Sequence, residues 1–174
     1  LDCDVRLIGA TEEAAEDPVA GVFPVYCQNI PQPVNRFLKK LEAKQVALIA
    51  TYGKISYGNV LYEARKHLRG EVIAGAYIPM GHTFLDGDYK FDTTQLLPIA
   101  HRIKTPRQVT IPKTRKNPLA NIVPGLRSRV GVKILKGDNC DNCGLCEKNC
   151  PVGAIRNGRL HSQCIRCLRC VTNC

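Results

Sequence analysis

Three short apolar runs frame the first hundred residues. Residues 19–26 are mostly apolar and include Pro24. Residues 45–51 centre on Val46, Ala47, Leu48, Ile49 and Ala50, and residues 71–78 end at Ile78. Apolar runs of this length without alternation predict strands buried on both faces. Between the runs the spacing changes to that of a helix. Val34, Phe37, Leu38 and Leu41 recur at i, i+3, i+4 and i+7, behind Pro31 and Pro33, where a missing N–H costs nothing. Val60, Leu61, Ala64 and Leu68 form a second stripe, with Gly70 as the expected stop. A third helix is expected over 93–104, with Pro98 near its first turn. Residues 4–9 read as one more short strand, and 11–17 as an acidic loop.

Strands alternating with amphipathic helices predict an α/β fold, with a parallel sheet, helices on both faces and right-handed crossovers. Ligands bind such a sheet where loops leave the carboxyl ends of the strands, here 24–30, 51–59 and 79–92. The periodicity stops near residue 104. Residues 105–130 carry Pro106, Pro112, Pro118, Pro124, many Lys and Arg, and isolated apolar positions. They read as an irregular basic connector that wraps the first domain. A small second domain is expected to open with a strand over 130–135. Within it, 154–160 reads as a hairpin turning on Asn157-Gly158. The expected division is 1–104, 105–130 and 131–174.

Composition adds a compartment and a charge. No run approaches the ~18–20 apolar residues of a membrane span, and no signal-peptide pattern opens the chain. A cytoplasmic protein with reduced thiols is expected, in which regularly spaced cysteines bind metal. The formal net charge is +10, and residues 101–136 alone carry the excess, with ten Lys or Arg and no acid. This segment has three readings: a solvated connector, a surface that docks an acidic redox partner, or a contact with nucleic acid or lipid headgroups. The last is disfavoured, because the segment has no aromatic residue to stack on bases and no recognisable nucleic-acid module.

The strongest chemistry lies at the end of the chain. Eight of the ten cysteines fall in two copies of one spacing. The first is Cys140-x2-Cys143-x2-Cys146-x3-Cys150-Pro151, and the second is Cys164-x2-Cys167-x2-Cys170-x3-Cys174. A zinc site uses two Cys-x2-Cys pairs and has no need of a third cysteine at that spacing, and disulfides require no such regularity. The spacing resembles that of bacterial ferredoxins with two [4Fe–4S] clusters. In that motif class the fourth ligand of each cluster comes from the other repeat. Cys140, Cys143, Cys146 and Cys174 are then expected to hold one cluster, and Cys164, Cys167, Cys170 and Cys150 the other. Gly144 suits the tight turn between ligands. Two oxidised clusters with their thiolates would add roughly −4 to the formal charge. Arg166 and Arg169 lie between ligands of the second repeat. They either raise the potential of the adjacent cluster or are simply solvated.

The stretches 22–26 and 50–53, followed by Tyr57-Gly58-Asn59 and placed ahead of the double motif, resemble the flavodoxin–ferredoxin fusion proteins of anaerobic bacteria and archaea. The resemblance covers roughly 4–104 and 130–174. It implies a flavodoxin-like sheet that binds FMN and exchanges electrons with the clusters. The flavin-flanking positions are then Pro24, Val25 and Tyr26, with Thr51, Tyr52, Gly53, Ser56, Tyr57, Gly58 and Asn59. Tyr26 or Tyr52 would stack on the ring. The family also opens with a Ser/Thr/Gly-rich phosphate loop, whereas residues 7–11 here lead into Glu12 and Glu13. The chain therefore reads as beginning at the family's second strand, without the central first strand and that loop, and its end at Cys174 without a following proline reads as trimmed.

Outside these motifs little is expected. Cys3 and Cys27 read as incidental small residues, and His67, His82, His101 and His161 share no metal spacing, although His82 lies in a candidate substrate loop. Electron transfer between flavin and clusters is the leading function. A flavin-dependent reductase acting over 79–92 and a flavin-free ferredoxin carrying a docking domain are the alternatives.

Overall fold

The computed structural model describes residues 4–6, 17–81, 90–121 and 133–174. The chain divides into two compact units, Leu1–Ile122 and Val123–Cys174.

The first unit is built on three parallel strands, β1 (Val19–Pro24), β2 (Gln45–Tyr52) and β3 (Glu71–Pro79), in that order. Helix α1 (Gln32–Lys40) joins β1 to β2, α2 (Val60–Arg65) joins β2 to β3, and a 3₁₀ turn (Thr93–Leu96) leads into α3 (Leu97–Lys104). Alternation along β2 explains the layering. Val46, Leu48 and Ala50 meet Val34 and Leu38 of α1 and Leu61 and Ala64 of α2. Ala47 and Ile49 point the other way, into a cluster with Ile73, Ile78 and Ile99 of α3. A bulge opposite Val46 and Ala47 lets Ile73 and Ala74 both serve that second cluster, because the extra residue resets the period of two.

Several expectations are corrected. β1 is buried on one face only: Phe23 is 2% exposed, whereas Val22 is 57% exposed. The cause is its place at the end of the sheet. α3 packs on β3 and leaves the second face of β1 uncovered by any described helix. Gly70 does not stop α2, which ends at Arg65 and continues as turns that bond Lys66 to Glu63 and His67 to Ala64. Gly70 instead passes against the carbonyls of Ala43 and Lys44, where a side chain has no room. Residues 4–6 and 133–135 are irregular and not in strands, while 7–9 and 130–132 lie outside the described residues, as do Cys3, His82 and most of the acidic loop.

The proline-rich segment after α3 is irregular but packed. The Val109 N–H donates to Val72 O at 2.7 Å, and Ile111 fills the space that Gly75 leaves open on β3. Further on, Thr114 is tied to the loop before α2. Its N–H donates to Asn59 Oδ1 at 2.6 Å, and its hydroxyl donates to Gly58 O at 2.5 Å. Lys116 is not a free cation of the basic stretch. Its ammonium bonds Glu63 at 2.9 and 3.1 Å and Asn29 Oδ1 at 2.7 Å, with its side chain 11% exposed. The carboxyl ends of β1 and β2 are therefore crossed by the chain's own segment.

The second unit holds α4 (Leu145–Lys148), the antiparallel pair β4 (Ile155–Arg156) and β5 (Arg159–Leu160), and α5 (Arg169–Thr172). Asn157 (φ 50°) and Gly158 (φ 69°) make the expected left-handed hairpin turn. Gly158 N–H also donates to Glu147 Oε1 at 2.7 Å, fixing the hairpin to α4.

Asn59 is 6% exposed and anchors the packed segment. Asn59→Ala leaves the Thr114 N–H without its acceptor and should cost about 1–3 kcal/mol. Urea denaturation together with hydrogen exchange at Thr114 measures this. A loss under about 0.5 kcal/mol with Thr114 still protected would show that the anchor lies elsewhere.

Candidate iron–sulfur site and a second cavity

The two cysteine repeats share one backbone path. In the first, Asn142 (φ 62°) and Gly144 (φ 73°) are left-handed; in the second, the equivalent Arg166 (φ 57°) and Leu168 (φ 61°) are too. Each reversal turns the backbone between successive cysteines, and only glycine adopts it without steric cost. The hydrogen bonds repeat as well. Cys140 N–H donates to Gly137 O and Cys164 N–H to His161 O, both at 3.2 Å. Lys148 N–H bonds Gly144 O as Thr172 N–H bonds Leu168 O. Cys150 N–H bonds Glu147 O as Cys174 N–H bonds Val171 O. Helices α4 and α5 occupy equivalent places in the two repeats and pack on each other.

Four of the expected ligands meet. Cys150, Cys164, Cys167 and Cys170 line one small cavity, walled by Ile134, Ile155, Ile165 and Leu168. Its thiols are already paired with backbone donors: Ala154 N–H to Cys150 Sγ at 3.1 Å and Arg166 N–H to Cys164 Sγ at 3.4 Å. Burial pushes the Cys150 thiol up, but the N–H groups of Val152, Ala154, Ile155 and Gly153 together outweigh it and hold the thiol below its ordinary range. Cys170 is raised, first by burial and then by the neighbouring Cys167, Cys164 and Cys146. Thiolates crowded this way repel one another unless a cation lies among them. All nine described cysteines are free thiols. Among the described residues no three Cys, His, Asp or Glu side chains converge on a single ion. A cubane binds each thiolate to its own iron, so its four ligands stand further apart than those of one ion. The donor set and its dry wall fit a [4Fe–4S] cluster.

Residues 137–156 match the family model of the 4Fe-4S binding domain. Iron–sulfur binding, with the electron transfer that such domains carry, is therefore the chemistry of this segment. The match spans the first repeat and the hairpin's first strand. Comparison with curated proteins and with solved structures returned no match. No described helix is long and apolar enough to cross a membrane.

The loops read as flanking a flavin are brought together, but differently from the expectation. A cavity of about 330 Å³ opens at the end of β2, lined by Tyr52, Lys54, Ile55, Ser56, Tyr57, Gly58, Thr114 and Arg115. Thr51, Gly53, Asn59 and the whole of 24–26 are not in that lining. Val25 instead gives its N–H to Thr51 O, and Tyr26 closes a turn with Asn29. Pro24 ends β1 and is exposed. Tyr57 stacks on Tyr77 with ring centroids 3.9 Å apart, and Tyr52 meets Tyr57 edge-on at 5.1 Å. Thr114 and Arg115 escaped the sequence reading, because nothing in local spacing places a proline-rich segment over a loop so far upstream.

Burial raises the Tyr77 hydroxyl above its usual range, although it accepts the Leu61 N–H at 3.0 Å. The unfolded chain then loses this proton first, so stability should fall as pH rises through about 10 towards the folded value. Tyrosinate absorbance of the wild type against Tyr77→Phe checks this. An ordinary midpoint for the difference signal would refute the burial effect.

Proposed function

We propose that the chain is an electron-transfer protein with two [4Fe–4S] clusters. Cys140, Cys143, Cys146 and Cys174 hold one, and Cys150, Cys164, Cys167 and Cys170 the other. The observation that carries this reading is the repeated backbone path, left-handed at the same two positions of each repeat. A cluster supplies one-electron storage without bond making or breaking. The chain's part is to present thiolates, N–H donors to sulfur and an apolar wall. Anaerobically purified protein should contain about eight irons and eight sulfides per chain. Cys150→Ala should lose about four of each and keep the remainder. Zinc in place of iron, or a single cluster in the wild type, would end the two-cluster reading.

A second element of the reading is a flavin in the first unit. It is favoured by the 330 Å³ cavity, which lies within the ~300–1,000 Å³ range of small-molecule sites. Tyr52 and Tyr57 offer aromatic surface, Ser56 and Thr114 hydroxyls, and Lys54 and Arg115 positive charge for a phosphate. FMN would supply the exchange between two-electron and one-electron chemistry. The exposed Arg102, Lys104, Arg107 and Lys113 would then steer an acidic redox partner. Released flavin, read by fluorescence after denaturation, tests the cofactor. Arg115→Ala should weaken FMN uptake by the flavin-stripped protein about tenfold. No binding to the wild type would leave the first unit as a docking domain.

A further inference from the structure

The two repeats share a backbone but not a charge. Asn142 and Arg166 hold the same left-handed position between the first two cysteines of their repeats. In sequence the first repeat carries Asp138, Asp141 and Glu147 against Lys136 and Lys148; the exposed Asp141 accepts the Cys143 N–H at 3.0 Å, and the exposed Lys136 ammonium donates to Asn142 Oδ1. From Arg159 to the end, the second repeat contains no acid and three arginines.

Arg166 is unusual within this set. Its Nε and Nη1 atoms are buried and have no hydrogen-bond partner, whereas Arg169 is exposed. A guanidinium carries five donors and cannot shed its charge, so burying it unpaired is strongly unfavourable. Arginine also enters the left-handed region only at a steric cost. Both costs fall on a residue whose neighbours in the chain are Ile165 and Cys167, and whose own N–H bonds Cys164 Sγ. No described acid pairs with these two atoms, and along the chain Arg166 stands between Cys164 and Cys167, two of the four cysteines that line the cavity.

We infer that Arg166 is a fixed counter-charge to the cluster held by Cys150, Cys164, Cys167 and Cys170, and makes it the higher-potential of the two. This rests on the two-cluster reading above. Reduction adds one electron, and therefore one negative charge, to a cluster and its thiolates. No bond forms or breaks and no proton is needed. A partly enclosed positive charge nearby stabilises that added charge and is screened less than an exposed one. At the first site Asn142 contributes no charge, Asp141 opposes the added one, and the Lys136 ammonium on Asn142 Oδ1 is exposed, so solvent and salt screen it. An electron entering the module therefore settles at the second site.

The test is a spectroelectrochemical titration of the fully loaded full-length chain, followed by electron paramagnetic resonance. Two one-electron midpoints are expected. Arg166→Gln should lower the higher one, with the reduction constant falling about tenfold, or about 59 mV for one electron. Arg166→Lys should retain most of the wild-type value, and Arg169→Gln should move it far less. Equal shifts of both midpoints, no shift, or an equal effect from Arg169→Gln would overturn the assignment. If Arg166→Gln fails to load, Asn142→Arg decides: it should raise the lower midpoint and narrow the gap, and an unchanged gap overturns the proposal. Iron and sulfide analysis of each sample separates the two failures. Fewer than eight irons in the wild type removes the two-cluster reading, whereas eight irons with unmoved midpoints removes only the role of Arg166.

Discussion

Four sulfur atoms must face one centre from a chain that supplies a cysteine only every third residue. An extended strand would throw alternate side chains to opposite sides, and a helix would spread them around its axis. The second unit solves this with left-handed residues. Asn142, Gly144, Arg166 and Leu168 reverse the backbone between ligands, and short helices then carry the third cysteine of each repeat. Everything else in the unit follows from holding those reversals. The hairpin is pinned by Glu147, and the N–H groups after Cys150 are directed to its sulfur. Glu147 and Val171, each three residues after the second corner of its repeat, return an N–H to the carbonyls of Gly144 and Leu168.

The first unit is governed by a different economy. Its parallel sheet follows the general rule of placing loops at the carboxyl ends of the strands, but part of that rim is covered from within. Thr114, Lys116 and Asn117 reach Asn59, Glu63, Asn29 and Gln28, so loops that would otherwise present bare backbone are tied to the segment crossing them. What remains open is a cavity built jointly by the loop after β2 and by Thr114 and Arg115. A ligand there would be held by both pieces of chain, and its entry would depend on how firmly they stay joined.

Much of this was legible in the sequence because it is written in local spacing. The three strands, the helix after Pro31, the Asn157-Gly158 turn and the role of Gly144 all depend on neighbours a few residues apart. The failures share the opposite character. Val22 looks buried by run composition, but it is exposed because its strand ends the sheet. Gly70 looks like a helix stop, but its small size is needed against carbonyls that precede the helix. Lys116 looks like part of a solvated basic stretch, but Glu63 and Asn29 claim it. The cysteine repeat was readable from spacing, whereas the enclosure of Arg166 Nε and Nη1 was not, because the same arginine at the same spacing could equally have pointed to water.

Leu168 stands where the first repeat has Gly144, and it is 8% exposed, whereas Gly144 is open to solvent. The substitution turns a bare corner into a lid. With Ile134, Ile155 and Ile165 it leaves little room for water beside the sulfurs of Cys150, Cys164, Cys167 and Cys170. Hydrolytic loss of iron from such a centre needs water or another polar ligand at the metal, and an apolar wall slows that step even though it does not exclude dioxygen. With clusters held as proposed, that loss would begin at the glycine-cornered half and reach the leucine-covered half later.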